Sequence, residues 1–425
     1  MDDKEVEKLI AAEEKRQREG LELIPSENYV SHDVMTAMGS VFTNKYSEGF
    51  PGKRYYGGQT NTDKVEQLAI DRAKALFGAD HANVQSHSGA PANEAVYHAW
   101  CEPGDTIMGM ELSHGGHLTH GRPGTIGAKL FNFVRYGIKD IETGEIDYDQ
   151  MLAVAKKTKP KIIIAGFSSY PRELNYAKFA EIGKEVNAVL MADMAHIAGL
   201  IAGKAAKNPL DYGFHIITTT THKTLRGPRG AMILSMGTVS NPLKPVNKTL
   251  ENLPTLIDRM VFPGIQGGPH MHTIAAKAVA FGEAATPDFR VYCQQILKNA
   301  KRLADEMMRR GFKLITNGTD NHLILADVKA SFDLDGGEVE EVLDKIGLTL
   351  NKNVIPDDPL PPFKPSGIRL GTPAITTRGL KENDMAKIAE WMLGAIKNRH
   401  DTKILNRLSN EVREYCLQFP LPSDD

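Results

Sequence analysis

The sequence predicts an α/β fold: a large domain with a mostly parallel sheet sandwiched by helices, followed by a smaller α+β C-terminal domain. Three observations carry this. Six short runs between Thr106 and Ser235 are mostly apolar on both faces, as expected of parallel strands covered by helices on each side. Helical periodicity falls between several of them. At 425 residues the chain exceeds the size at which one hydrophobic core stops growing, so it should divide.

Taken in order, Val6, Leu9 and Ile10 in a charged background read as a short amphipathic helix ended by Gly20, with an extended segment from Leu21 to Val30 after it. Met1 to Gly20 lacks the apolar stretch of a signal peptide. Asn44 to Gln59 is dense in Tyr, Gly and charge without a period, a long irregular loop of the kind that carries function. Asp63 to Phe77 has helical spacing through Val65, Leu68, Ala69, Ala73 and Leu76 and stops at Gly78, and Pro91 to Trp100 reads as a second helix with proline near its start. Strands are expected at Thr106–Met110, Leu130–Tyr136, Lys161–Gly166, Ala188–Asp193, His215–Thr221 and Gly230–Ser235. Asn241 to Pro269, with five prolines, interrupts the alternation, and a helix from about His272 to Ala285 leads out of the domain. A long helix (Val291 to Arg310), strands at Phe312–Thr316 and His322–Val328, a helix near Gly337 to Ile346, a strand at Gly367–Gly371 and a closing helix from Leu380 complete the chain. The division expected is an N-terminal arm over 1–45, the large domain over 46–285 and the small one over 286–425.

Composition excludes several classes of function. A net charge of −2, with 41% hydrophobic and 24% charged residues, offers no electrostatic basis for binding nucleic acid or an anionic membrane. The longest apolar run, Ala188 to Ala202, is broken by Asp193 and His196, so no membrane span is expected. Cys101, Cys293 and Cys416 are too dispersed for a disulfide framework, which fits a reducing cytoplasm.

The chemistry is concentrated in a few stretches. Thr218 to Gly230 (TTTTHKTLRGPRG) presents Lys223 where a β-branched strand gives way to a Gly/Pro-rich loop, and ligands of open α/β sheets bind at that edge. A lysine desolvated there suits a Schiff base with a carbonyl compound such as pyridoxal phosphate; the plain alternative is a solvated surface lysine. Ser86 to Pro91 (SHSGAP) precedes a helix and could turn backbone N–H groups toward a phosphate, or simply cap the helix. Asp193 ends an apolar strand, where it could pair with a cationic ring nitrogen or cap a helix. The run Glu111 to Gly121 (ELSHGGHLTHG) carries His114, His117 and His120. No carboxylate or cysteine nearby in the chain completes a metal site, so no metal is expected, and an imidazole laid on a planar cofactor is the better functional reading. Arg369, in a short strand between glycines, suits a carboxylate or plain solvent.

These stretches, together with SENY (Ser26 to Tyr29), NKYSEGFPGKRYYGG (Asn44 to Gly58), MADMAHIAGL (Met191 to Leu200), FPGIQGGP (Phe262 to Pro269), LNKNVIPDD (Leu350 to Asp358) and SGIRLGTPA (Ser366 to Ala374), resemble the serine hydroxymethyltransferase family. Its members are pyridoxal-phosphate enzymes of the aspartate-aminotransferase fold type, and the resemblance runs over nearly the whole chain. It implies transfer of the hydroxymethyl carbon of L-serine to tetrahydrofolate, giving glycine and 5,10-methylenetetrahydrofolate. It further implies that Lys223 bonds the cofactor aldehyde, with His222 beside it, that Asp193 pairs with the pyridine nitrogen, and that His117 stacks on the ring. His196 would lie near the phenolic oxygen. Ser88, Gly89 and Ala90, with Thr220 nearby and Gly267 and Gly268 of a neighbouring subunit, would hold the phosphate. Glu48 would serve as acid/base at the serine hydroxyl or the folate, with Tyr46 and Tyr56 supporting phosphate and substrate, while Ser26 and Arg369 would take the amino acid carboxylate. Leu112, Gly116, Leu118, Asn353 and Phe363 fall where the family receives tetrahydrofolate. A homodimer with shared sites is implied, with a tetramer left open. Ala90 and Pro91 depart from the hydroxyl residue and Gln usual there, which predicts somewhat weaker cofactor binding. A folate-independent aldolase of the same fold is the competing enzyme, against which LNKNVIPDD and Glu48 argue. A silent scaffold protein is the competing class, against which Lys223, Asp193, His117 and Arg369 argue.

Overall fold

A computed structural model describes residues 1–423. The chain forms two compact units, one of residues 30–140 with 145–294 and one of residues 1–29 with 141–144 and 295–425.

The first unit is built on seven strands: β1 (His81–Asn83), β2 (Thr106–Met110), β3 (Asn132–Tyr136), β4 (Ile162–Gly166), β5 (Val189–Asp193), β6 (Ile216–Thr220) and β7 (Ala231–Ser235). Their order is β1-β7-β6-β5-β4-β2-β3. Neighbours from β6 to β3 pair parallel, whereas β7 runs antiparallel to both β6 and β1. β4, β5, β6 and β7 are buried along their whole length, which is why they read as unbroken apolar or β-branched runs rather than alternating ones. The expected strand from Leu130 begins two residues later, because Ile126–Leu130 is a short helix whose N-cap Thr125 accepts from the Ala128 N–H. β1, three residues long, gave no apolar run to find.

Helices α1 (Thr60–Phe77), α2 (Gly89–Trp100), α3 (Tyr148–Thr158), α4 (Tyr176–Val186), α5 (Ala198–Ala202) and α6 (Met271–Ala284) belong to this unit. α1 ends at Gly78, whose φ of 72° closes the helix through its N–H to Lys74 O. α2 starts at Gly89, two residues earlier than the proline suggests, and packs its Ala92, Ala95, Val96 and Tyr97 on the sheet core. α6 packs along α1, and Arg72 donates across to Ala278 O at 2.6 Å.

The second unit holds a four-stranded antiparallel sheet, β8 (Lys313–Leu314), β9 (Leu323–Asp327), β10 (Asn351–Asn353) and β11 (Gly367–Gly371), ordered β8-β9-β11-β10. Its core joins Ile324 and Ala326 of β9 and Ile368 and Leu370 of β11 to Trp391, Met392 and Val412 of the last helices, Glu382–Lys397 and Thr402–Cys416. The single closing helix expected from Leu380 is therefore two. Arg378, 3% exposed, gathers the carbonyls of Gln17, Arg18, Gly20, Cys416 and Phe419 and so fastens the end of the N-terminal helix Lys4–Glu19 to the last helix. Among the described residues no helix is long and apolar enough to cross a membrane.

Candidate active site

In the first unit, the C-terminal ends of β4, β5 and β6, the start of α2 and the histidine loop after β2 converge on a narrow cleft. Lining it are Gly89, Asn93, His117, Phe167, Ser168, Asp193, Ala195, His196, Thr218, Thr219, Thr220 and Lys223. The loop after β6 holds Lys223, 8% exposed, by closing on itself. Thr221 N–H donates to Gly230 O (3.0 Å) and Gly227 N–H to Thr221 O (2.7 Å), while the Thr221 hydroxyl donates to Pro228 O (2.6 Å). Arg226 takes a left-handed φ of 59° and lays its guanidinium 4.6 Å from the Tyr292 ring centre. α5 presses on this loop: a Cβ at Gly199 would stand 2.0 Å from Thr224 O, and the Gly199 N–H donates to the Thr224 hydroxyl.

Asp193 ends β5 and is 8% exposed. Its Oδ2 accepts from Asn93 Nδ2 (2.8 Å) and His120 Nε2 (3.0 Å), and its Oδ1 from the Ala195 N–H (3.2 Å). Because His120 Nδ1 accepts from the His117 N–H, the His120 proton sits on Nε2 and points at the carboxylate. Burial alone would raise the Asp193 pKa; the His120 hydrogen bond, the neighbouring imidazoles and the Asn93 amide reverse this and hold it well below the usual carboxylate range. Asn93 also accepts from the Thr218 hydroxyl (2.6 Å) and donates to Thr119 Oγ1 (2.8 Å). One fully buried amide thus ties α2, β5, β6 and the histidine loop together. His117 is fixed in turn, its Nδ1 accepting from the Thr119 N–H and lying 2.6 Å from the Thr119 hydroxyl. The fold also corrects the sequence reading of the histidine run: a carboxylate does come near, and His117, His120 and Asp193 place one donor atom each within 4.8 Å of one another.

At the start of α2, Ser88 is an extended N-cap with no side-chain cap bond. Ala92 N–H already bonds Ser88 O and Pro91 has no N–H, so the helix offers the amides of Gly89 and Ala90 to an anion. A Cβ at Gly89 would meet Thr220 Cγ2 at 3.0 Å. Behind this turn Gln266 donates to Gln85 O (2.9 Å) and accepts the His87 N–H (3.0 Å), and the His87 and His270 rings stack at 4.0 Å. His196 is buried, with its carbonyl accepting from the Thr224 hydroxyl. His222 is held neutral: burial, then the charges of Lys223 and Arg229, lower it to about 3.

Tyr46, Glu48, Tyr56, Gly267 and Gly268 form a second cluster, and none of them lines the Lys223 cleft. The Tyr46 hydroxyl donates to Glu48 Oε1 (3.0 Å), and the Tyr56 hydroxyl lies 3.5 Å from Oε2. The two rings meet edge to face at 5.0 Å. Side chains at Gly267 and Gly268 would run into Glu48 and Tyr46. Tyr46 and Tyr56 are about half exposed, as is Leu118. Gly116 is demanded by packing, since a Cβ there would lie 2.4 Å from Met110 O.

In the second unit Arg369 sits at the centre of β11, paired with Leu325 and Asn351, and its Nε donates to Asn351 Oδ1 (3.1 Å). Burial lowers its pKa to about 10. Ser26 follows Pro25, whose Cβ fills the space a side chain at Gly371 would need. Asn353 ends β10 and donates to Val354 O, whereas Phe363 is 80% exposed. The loop between them is closed by Asp358, which accepts from Ile355, Leu360 and Ser366. Sequence reasoning missed Asn93, His120 as the partner of Asp193, and Asp358. A fully polar amide among the alanines of α2 was the one available sign of Asn93.

The Lys223 cleft fits pyridoxal phosphate: a buried lysine, a carboxylate kept ionised in a buried hydrogen-bond network, a fixed imidazole and a helix N-terminus share it. A serine hydroxymethyltransferase family model matches residues 1–392, and the chain belongs to that family of pyridoxal-phosphate enzymes, which transfer the hydroxymethyl group of serine to tetrahydrofolate.

Proposed function

We propose that the Lys223 cleft is where this chain performs the family's transfer, and the observation that carries the assignment is the buried Asp193 network at the strand ends that hold Lys223. Bound pyridoxal phosphate supplies a ring that takes up the electron pair of the breaking Cα–Cβ bond of serine. Lys223 would bond its aldehyde carbon. Asp193, ionised across the working pH range, would keep the proton on the pyridine nitrogen, with Asn93 and His120 keeping Asp193 aimed. His117 would shield the ring from water. Gly89 and Ala90 would donate backbone N–H groups to the phosphate, with Ser88 and Thr220 beside them, and His196 would serve the phenolic oxygen. His222, neutral with its pKa pushed down to about 3, would act neither as a general acid nor as a base at neutral pH.

For the amino acid carboxylate we assign Arg369 with Ser26, and for the folate Leu112, Gly116, Leu118, Asn353 and Phe363. Glu48, with Tyr46 and Tyr56 on its two oxygens, is assigned to the proton at the serine hydroxyl or the folate. Because this cluster stands apart from its own chain's cleft, together with Gly267 and Gly268, we infer a homodimer in which it serves the neighbouring copy. Three buried free thiols, Cys101, Cys293 and Cys416, suit work in the cytoplasm. The test is exchange of the glycine α-proton with solvent. Tetrahydrofolate should accelerate it, and Lys223→Ala should abolish both the exchange and the visible absorbance of bound cofactor. Exchange indifferent to folate would turn the assignment toward an aldolase.

A further inference from the structure

Lys277 lies in the middle of α6 and is 1% exposed. A buried lysine is rare and needs partners. Its Nζ donates to Val84 O (2.6 Å), Ala231 O (2.7 Å) and Ser86 O (3.1 Å), three carbonyls for the three N–H bonds of an ammonium. Burial lowers its pKa to about 7, the charge of Glu66 opposes this, and the three carbonyls match the three N–H bonds of the protonated form; the Glu66 carboxylate itself is occupied by Arg54 and Gln85. Two of the carbonyls belong to the segment that leaves β1 and enters the turn before α2. The third belongs to the first residue of β7, where the lysine loop ends. Ser86 O also accepts from the Ala231 N–H (3.0 Å), so the two segments meet at the ammonium. A glycine at 230 is part of the arrangement, because a Cβ there would stand 2.6 Å from Lys277 Cε.

We propose that Lys277 is a positioning residue for the cofactor's phosphate: its ammonium fixes the Val84 and Ser86 carbonyls, which sets the turn that aims the Gly89 and Ala90 amides. Through Ala231 the same ammonium ties this turn to the loop carrying Lys223. The inference rests on the reading above that the start of α2 takes the phosphate. Val84, Ser86 and Ala231 contribute only backbone carbonyls, so the clamp is removed by changing Lys277 itself.

The test titrates apoenzyme with pyridoxal phosphate and, separately, with pyridoxal, which has the same aldehyde and ring but no phosphate. In Lys277→Met and Lys277→Gln, loss of charge-assisted hydrogen bonds behind the turn should weaken pyridoxal phosphate about tenfold or more. Pyridoxal should change by less than about twofold, since it never meets the displaced amides and the Lys223 loop keeps its own closing bonds at Thr221, Gly227 and Pro228. The ³¹P resonance of bound cofactor should move as well. Equal losses for both ligands would reduce Lys277 to a general folding role and overturn the proposal, as would unchanged affinity for pyridoxal phosphate. If neither variant folds, Gly230→Ala, which pushes on the Lys277 side chain from the loop, must give the same selective loss. Wild-type protein that does not prefer pyridoxal phosphate over pyridoxal would overturn the phosphate reading itself, a result distinct from a preference that survives in Lys277→Met.

Discussion

Replacing Asn93 by Asp exchanges an N–H donor for an oxygen with almost no change in shape. The wild-type amide nitrogen lies 2.8 Å from Asp193 Oδ2, so two carboxylates would face each other at that distance. At an effective dielectric constant near 20 their repulsion is about 6 kcal/mol, more than enough to make the pair retain one proton at neutral pH. Holding that proton at pH 7 costs about 4 kcal/mol relative to an unfolded Asp of ordinary pKa, which sets the ceiling on the lost stability. The sign follows: the folded pair binds more protons than the unfolded chain, so the variant regains about 1.4 kcal/mol for each unit the pH is lowered toward 4. Wild-type Asp193, with its pKa held down, contributes no such slope in this range. Urea denaturation of wild type and Asn93→Asp at pH 5, 6, 7 and 8 measures it, and the cofactor's absorbance reports in parallel whether the pyridine nitrogen has lost its anionic partner. Equal slopes for the two proteins between pH 5 and 8 would refute the account of the network.

Gly199→Ala places a methyl 2.0 Å from Thr224 O; because backbone must move to admit it, we expect a loss of about 3 kcal/mol or more, seen by urea denaturation, with cofactor binding lost in step, and a variant that binds normally would show that α5 does not set the lysine loop. Glu22 is 5% exposed, and burial, followed by the charge of Glu27, raises its pKa to about 8. Its stabilising contribution is therefore full below about pH 4.5 and lost as pH rises through 8, so Glu22→Gln should remove a decline in stability between pH 5 and 9 that wild type shows. Ala90→Ser adds a hydroxyl beside the two free amides of α2 and should tighten pyridoxal phosphate about fivefold, the worth of one hydrogen bond; equal dissociation constants in a titration would contradict the two-amide picture of the phosphate turn.

The sequence made visible whatever depends on near neighbours in the chain. Unbroken apolar runs announced β4 and β5, β-branched threonines announced β6, and residues at their ends, Asp193 and Lys223, were conspicuous because polar groups there break the pattern. Gly89 and Pro91 marked a helix start, though Gly89 rather than Pro91 opens it, since proline fits any position of a first turn whose N–H has no partner. What escaped were polar groups whose meaning lies in a distant partner. Asn93 reaches Asp193 across 100 positions and Thr218 across 125, and in its own segment ANEAVY it looks like an ordinary helix residue. His120 reaches Asp193 across 73, which is why the histidine run seemed to lack a carboxylate. Lys277 in IAAKAVAF reads as a stray charge on an apolar helix until three carbonyls from two other segments close around it. A buried polar side chain is tolerable only where its hydrogen bonds are met. An isolated Asn or Lys inside an apolar period is therefore evidence that some other part of the chain supplies the partner, and here Asn93 and Lys277 each lead to the strands and turns around the Lys223 cleft.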